Sequence, residues 1–300
     1  MICVTRRLLR PFEPRNDLLL RVMPVKLPIT VAMVVHHGEA TIERALKSVA
    51  DLADEIIVSH NGPCRDRSVE IARRYTDKVH VQEKFIGAPE EYRIFVYERI
   101  SHEWILQVDA DEFLSADLKA SLKELIDDPA VDGYELRWPT WYKGKYYHAY
   151  YRLCLFRKQC FYLIGAPSEH LKPVHKGVRI KYVSYFMEHR PPYDNLTLAM
   201  FRRKWAPWAR IQAEYYLKDF QSIPKYNYPY KDWEFRTRIR LRHPILLGVF
   251  GTFLFSIILG VWYFVKTRHI LFLKSAFLHA LYSVVLYGSY WKYKRSRLPE

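Results

Sequence analysis

Two carboxylates one residue apart, Asp109 and Asp111, follow directly on the apolar run 104–108. Side chains alternate along an extended chain, so both acids project to the same side of it. Paired oxygens at a strand end suit a hard divalent cation; Mg²⁺ is commonly held by one or two carboxylates together with substrate phosphates. An ion so placed neutralises a departing diphosphate. An acid pair is also what a solvated turn ahead of a helix looks like, here the helical pattern at 116–126, so the motif needs its surroundings to be decisive.

Those surroundings alternate between strand and helix. Residues 29–35 form a continuous apolar run of the kind buried on both faces of a sheet. Residues 41–52 carry Ile42, Ala45, Leu46 and Val49 at helical spacing. Strand patterns follow at 55–59, 78–82 and 104–108, with helical patterns at 68–75 and 90–101 between them. This predicts an α/β fold with a mainly parallel, Rossmann-like sheet and right-handed crossovers. Ligands of such sheets sit at the carboxyl ends of the strands, where Asp109 and Asp111 fall. Residues 131–189 are richer in Tyr and Trp, with strand-like pieces at 133–138 and 152–156. They are expected to form the acceptor-facing part of one domain, 28–195.

The C-terminal end has a different character. Residues 245–265 are 21 residues without a charge, roughly 31 Å of helix and enough to cross a bilayer core. Lys266-Thr267-Arg268-His269 separates them from a second apolar run, 270–291, which contains Lys274 and His279. So short a connection predicts an antiparallel helical hairpin. The second run either spans or lies in the interface with Lys274 snorkelling. Ser256 and Gly260 are spaced to seat the partner helix. Arg236, Arg238, Arg240 and Arg242 before the hairpin and Lys292, Lys294, Arg295 and Arg297 after it place both flanks on the cytoplasmic face. The pattern at 195–218 mixes Arg202, Arg203 and Lys204 with Trp205 and Trp208, as in a helix lying on a membrane surface. The chain thus divides into a basic leader at 1–27, the α/β domain at 28–195, basic amphipathic linker helices at 196–242 and a membrane-embedded hairpin with a basic tail at 243–300.

Residues 196–300 hold 18 Lys and Arg against 5 Asp and Glu, which leaves about +2 of the net +15 on the first 195 residues. Basic charge flanking apolar runs points to anionic lipid. It forms no nucleic-acid-binding motif, so no nucleic-acid partner is expected. Cys3, Cys64, Cys154 and Cys160 match no zinc spacing and read as thiols of a reducing compartment. Asn195-Leu196-Thr197 is a formal glycosylation sequon. Arg6, Arg7 and Arg10 precede no uninterrupted apolar stretch, so no signal peptide is expected.

Four stretches occur in a telling order: Thr41-Ile42-Glu43-Arg44-Ala45-Leu46-Lys47-Ser48-Val49, Asp54-Glu55-Ile56-Ile57-Val58, Ser68-Val69-Glu70-Ile71-Ala72, and Trp104 through Asp109-Ala110-Asp111-Glu112. Over 29–189 the chain resembles the family-2 glycosyltransferases of GT-A fold, with these as first helix, second strand, second helix and metal-binding strand end. Arg152-Leu153-Cys154-Leu155-Phe156-Arg157-Lys158 and Glu169-His170-Leu171 extend the resemblance to lipopolysaccharide-core-type glucosyl or heptosyl transferases. The resemblance implies that Asp109 contacts the nucleotide and that Asp111, with Asp109, holds Mg²⁺ or Mn²⁺. It implies that Val35, His36, Glu39, His60, Asn61 and Ala110 line the nucleotide-sugar pocket and that Arg93 lies near the diphosphate. Glu169 is the candidate general base for in-line attack with inversion. His189 is a candidate third metal ligand, although a lone His is more often structural. Arg152, Trp141 and His170 are candidates for the acceptor side. Two positions depart from the family: His60 stands where an Asp usually reads the base, and His37 or Gly38 where a polar residue such as Asn or Lys is usual. A nucleotide other than uridine diphosphate, or a rebuilt pocket, would follow.

The expected activity is a metal-dependent, membrane-anchored transfer from a nucleotide sugar to a lipid-linked or cell-envelope glycan. Transfer to a polyprenyl phosphate is the alternative within the same chemistry, and a non-catalytic membrane scaffold the alternative outside it.

Overall fold

The computed structural model describes residues 26–296. The leader therefore lies outside the described residues up to residue 25, with Cys3, Arg6, Arg7 and Arg10, and so do residues 297–300 with Arg297. Leu27, read as leader, already belongs to the first strand.

The predicted alternation is present: β1 (Leu27–Val35), α1 (Ile42–Lys47), β2 (Ala53–His60), α2 (Ser68–Ala72), β3 (Val79–Val81), α3 (Pro89–Tyr97) and β4 (Trp104–Gln107). They are followed by β5 (Glu112–Leu114), α4 (Ala116–Asp127), β6 (Gly133–Tyr142), β7 (Lys145–Arg157), β8 (Phe161–Ile164), β9 (Lys172–Pro173) and β10 (Ile180–His189). Eight of these strands make one sheet in the order β3-β2-β1-β4-β7-β6-β10-β5. The four strands from β3 to β4 are parallel, with Val31 beside Ile56 on one flank and Leu106 on the other. Both faces of β1 are buried, which is why it is apolar apart from Thr30. Ile29, Val31 and Met33 pack with Ile42, Leu46 and Leu118, whereas Ala32 on the other face packs with Ile94, Tyr97 and Phe156.

The mainly parallel sheet of the sequence reading is corrected to a mixed one. β7 runs antiparallel to both β4 and β6, and β5 antiparallel to β10, while β6 and β10 are parallel. The cause is the tight turn between β6 and β7, where Lys143 (φ 50°) and Gly144 (φ 71°) are both left-handed. That turn matches the strand twist and enforces a hairpin. A small antiparallel sheet, completed by β11 (Lys225–Tyr226) in the order β11-β8-β9, lies beside the main one.

The remainder is helical: a single turn α5 (Leu198–Met200), a π-helical stretch Phe201–Trp205, α6 (Ala206–Tyr215), α7 (Phe235–Arg242), a π-helical stretch Pro244–Gly251, α8 (Thr252–Thr267) and α9 (Leu271–Ser296). The helix expected at 195–218 runs without interruption from Leu198 to Tyr215 and takes a π-helical register at Phe201–Trp205, just before Pro207, which has no N–H to return to the carbonyl of residue 203. Its apolar side is covered. Ala209, Ala213, Tyr215 and Tyr216 pack with Leu286, Tyr287 and Tyr290 of α9, leaving Arg202, Arg203 and Arg210 exposed.

Pro244–Thr267 and Leu271–Ser296 are each long and apolar enough to cross a bilayer. They differ in what covers them. The first is 11% buried, and Leu246, Phe250, Leu254, Phe255, Ile258 and Trp262 are exposed. The second is 44% buried, because one side of it packs on α6 and the β6–β7 hairpin. Lys274 does not snorkel free: its Nζ donates to the Tyr142 hydroxyl at 3.0 Å. The described cysteines, Cys64, Cys154 and Cys160, are free thiols.

Candidate active site

The carboxyl ends of β1, β2 and β4 bring Val35–Glu39, His60–Gly62 and Val108–Asp111 together. The Asn61 N–H donates to the Val35 carbonyl (2.8 Å) and the Val108 N–H to that of Ala32 (3.1 Å). Gly62 is left-handed (φ 86°), and a Cβ there would meet the Phe85 backbone nitrogen at 2.6 Å. Glycine thus lets the segment before α3 close over the turn. Asn61 secures that closure, its amide donating to the Ile86 carbonyl (2.8 Å) and accepting from the Ile86 N–H (2.9 Å). The Asn61 side chain is therefore consumed by backbone and is not a free pocket group. Glu39 also turns away, its carboxylate accepting from the Arg67 N–H at 3.3 Å. Ala110 lies partly buried against the core.

The acid motif is braced by two arginines from distant elements. Arg93, on α3, donates to both oxygens of Asp109 at 3.0 and 3.1 Å. Arg152, on β7, donates to Asp109 Oδ2 at 3.0 Å and also to Glu112 Oε1. Glu112 further accepts from Trp138 Nε1 (2.6 Å) and, through Oε2, from the Asp109 N–H (2.8 Å). Burial opposes the ionisation of Asp109, but the two guanidiniums outweigh it and hold its carboxyl well below the usual range. Burial raises Glu112 despite Arg152. Behind Arg93, burial pushes Glu90 up to about 7, and its Oε2 has no partner among the described residues. Both oxygens of Asp109 thus accept from arginines, and Arg152 joins this cluster.

Asp111 is free of that network. Its Oδ2 lies 3.5 Å from His189 Nε2. Residue 189 is carried there by β10, whose register sets it opposite Glu112 of β5, and its ring stacks on Trp138 with centroids 3.8 Å apart. An oxygen and an imidazole nitrogen at this separation can share an ion with bonds of about 2.1 Å. Carboxylate with imidazole is a donor set within the range of Mn²⁺. Asp111 and His189 therefore fit a divalent cation.

On the other side lies the loop 165–171. Burial raises the Glu169 carboxyl; Lys172 Nζ is 3.4 Å from it and 2.8 Å from Glu234, which also accepts from the Tyr162 hydroxyl. His170 is pushed down to about 4 by burial and then by Arg152, Arg93 and Lys172, so it is neutral at pH 7. Trp141 is not with them. It sits under the Arg190 guanidinium, 3.3 Å from its ring centre, and its Nε1 is buried without a hydrogen-bond partner among the described residues. Glu112, Trp138, Glu90 and Glu234 had no role in the sequence reading. Glu112 adjoins the acid pair and was legible there; Glu234 lies 65 residues beyond Glu169 and left no local signal.

Residues 30–175 match the model of Glycosyl transferase family 2. The match takes in Asp109, Asp111, Arg152 and Glu169. An uncharacterised glycosyltransferase of Rickettsia typhi is 29% identical over 119 residues, 39% of this chain and 40% of the relative. One of Rickettsia bellii is 32% identical over 106 residues, 35% of each chain. The chain thus covers two fifths or less of the length of these relatives. Among solved structures, S. aureus TarS is similar at 14% identity over 88% of this chain and 55% of that one, with a TM-score of 0.42. Glucosyl-3-phosphoglycerate synthase from Mycobacterium tuberculosis, in complex with Mn²⁺ and uridine-diphosphate-glucose, is similar at 20% identity over 37% of this chain and 43% of that one, with a TM-score of 0.30.

Proposed function

We propose that this chain transfers a sugar from a nucleotide-sugar donor to a lipid-linked or cell-envelope glycan acceptor at a membrane surface. The observation that carries the reading is the Asp111–His189 pair, open beside an Asp109 braced by Arg93 and Arg152 at the carboxyl ends of β1, β2 and β4. The nucleoside lodges between the turns after β1 and β2, and the diphosphate lies toward Arg93 and Asp111. Mg²⁺ or Mn²⁺ held by Asp111 and His189 would neutralise the leaving diphosphate.

Glu169 takes the proton from the acceptor hydroxyl. The acceptor oxygen bonds to the anomeric carbon as the bond from that carbon to the diphosphate oxygen breaks, and in-line geometry inverts the centre. Burial makes Glu169 a stronger base than an exposed carboxylate, and Lys172 and Glu234 fix its position. His170, being neutral, is available to accept or donate a hydrogen bond to the acceptor.

The apolar exterior of α8 supports membrane anchoring, since so large an exposed apolar face is unfavourable in water. The groove between α7 and the hairpin adds chemistry for an anionic lipid, with Arg236 and Arg240 beside Ile239, Leu247 and Phe255. The basic flanks favour a cytoplasmic placement of the transferase domain.

The test is release of free nucleotide from a panel of nucleotide sugars by the detergent-purified chain with Mn²⁺. Consumption of one donor, lost with chelator and in Asp111→Ala, is expected. No turnover and no metal-dependent nucleotide binding would sink the reading and leave a scaffold. The salt bridge that ties Glu169 to Lys172 favours a second acceptor class, a polyprenyl phosphate, which needs no base. Glu169→Gln separates the two: lost turnover means a hydroxyl acceptor, retained turnover a phosphate.

A further inference from the structure

The turns after β1 and β2 hold a second group of metal-ligating side chains, made of residues other than Asp111 and His189. His36, His37 and His60 each offer a ring nitrogen, and the three nitrogens lie within 4.8 Å of one another. We propose that these imidazoles form a binding site for a borderline divalent cation, with Zn²⁺ as the ion that the donors suit.

The hydrogen bonds around the rings prepare them for it. His36 Nδ1 is 2.8 Å from the Asn61 carbonyl and His60 Nδ1 is 2.6 Å from the Gly62 carbonyl. A carbonyl only accepts, so each Nδ1 carries the proton and each Nε2 keeps its lone pair. Metal-ligating histidines are held in the same way, by a hydrogen bond from the other ring nitrogen. His60 is fully buried, so its Nε2 is a fixed point. What faces that nitrogen is the His37 backbone N–H at 3.5 Å, a long contact that a metal bond would replace. His36 and His37 are exposed and their rings can turn. Tetrahedral zinc with bonds of about 2.0–2.1 Å needs nitrogens roughly 3.3 Å apart, a closure of the order of 1.5 Å.

One more observation points the same way. His37 is left-handed (φ 49°), and its ring is thereby set against that of His36, with centroids 4.0 Å apart. Strained backbone of this kind collects at ligand sites. Asp66 buttresses the turn. Its oxygens accept from the Ser68 N–H and hydroxyl and from the Glu39 N–H, and it faces His37 Nδ1 at 3.9 Å. Three imidazoles select Zn²⁺, Co²⁺ or Ni²⁺ over Mg²⁺, and three protein ligands leave a fourth position for solvent or a ligand. A cation here would tie together the two turns that the transfer reaction assigns to the nucleoside. The site itself does not depend on that assignment.

The experiment is metal retention by the full chain in detergent, purified with a histidine-free tag, stripped with chelator and given Zn²⁺ or Co²⁺. One equivalent should survive gel filtration, and the Co²⁺ form should show four-coordinate visible absorption. His37→Asn, which keeps a side chain tolerant of the left-handed backbone, and His36→Gln should each weaken retention at least tenfold. Asp111→Ala should leave it unchanged. Failure of the wild-type chain to retain an ion overturns the proposal. So does retention unaltered in both histidine variants, or a loss in Asp111→Ala equal to theirs.

Discussion

The phenol oxygen of Tyr282 lies 3.2 Å from the hydroxyl of Ser168, so the last helix touches the loop that carries Glu169 and His170. Tyr282 also donates to Gln212 Oε1 at 2.7 Å, which makes it a bridge between α9, α6 and that loop. Helix α9 is therefore part of the site's support as well as an apolar segment. Tyr282→Phe should remove two hydrogen bonds, each worth about 1 kcal/mol. Turnover should fall several-fold while donor affinity stays constant; kcat and donor KM measured side by side check this. Deleting residues 243–300 should yield an insoluble chain, because Leu286, Tyr287 and Tyr290 share a buried cluster with α6. The point substitution is thus the cleaner probe.

Asp109 and Asp111 should separate into a structural and a functional acid. Asp109 pairs with Arg93 through both of its oxygens, beside Glu90 at 3.7 Å from the same guanidinium, and shares Arg152 with Glu112. Asp109→Asn removes the anion shared by two partly buried guanidiniums and should cost about 3 kcal/mol, the scale for breaking a buried pair. Asp111→Asn removes a carboxylate whose sole side-chain ion pair among the described residues is with His189 at 3.5 Å. It should shift stability by less than about 0.5 kcal/mol yet weaken Mn²⁺ binding more than tenfold. Thermal unfolding and Mn²⁺ titration of both variants test the division. Equal destabilisation by the two would contradict it.

The sequence revealed the parallel half of the sheet because strands buried on both faces read as apolar runs, as in β1. It revealed Asp109 and Asp111 because they directly end β4. The antiparallel half was harder. β7 runs Lys145–Arg157, yet only 152–156 carried a strand pattern, since Tyr146 to Tyr151 face partly outward and are aromatic on both sides. Partners across the fold left no trace. Nothing near Asp109 announces that Arg152 will arrive from 43 residues away, or that Asn61 will spend its amide on the backbone of Ile86. The apolar length of α9 was plain, but its burial depends on α6, whose apolar face periodicity alone could not assign to a protein partner rather than to lipid.

Glu90 should make stability depend on pH. Its folded value is about 7, against 4.5 for the free group, with burial as the main cause. Between these values the unfolded chain has released the proton while the folded chain keeps it, so unfolding releases a proton and stability falls as pH rises. Below pH 4.5 both states are protonated and above pH 7 both are ionised, so the contribution is flat at either end. The fall across the window is of the order of 3 kcal/mol. Glu90→Gln should flatten it, and melting curves at pH 5, 6, 7 and 8 for both proteins provide the comparison. An identical slope in the variant would assign the dependence to another group.

Gly260 and Gly288 both lie in the hairpin, and their contrast tests how the hairpin is held. A Cβ on Gly260 of α8 would stand 2.1 Å from that of Ala276 and 3.2 Å from the Phe272 carbonyl, whereas one on Gly288 of α9 would meet nothing within 4 Å. Close backbone approach at small residues is how apolar helices pack when lipid surrounds them. Gly260→Ala must therefore push α8 from α9 and should destabilise the hairpin by about 1–3 kcal/mol, the cost of overpacking. Gly288→Ala gains helix propensity at no steric cost and should be neutral or stabilising by up to about 1 kcal/mol. Protease susceptibility of the 266–270 connection in detergent is the readout. Faster cleavage in Gly260→Ala, with Gly288→Ala like the wild type, is the expected pair of results. Were Gly260→Ala as resistant as the wild type, the helices would not meet at this glycine.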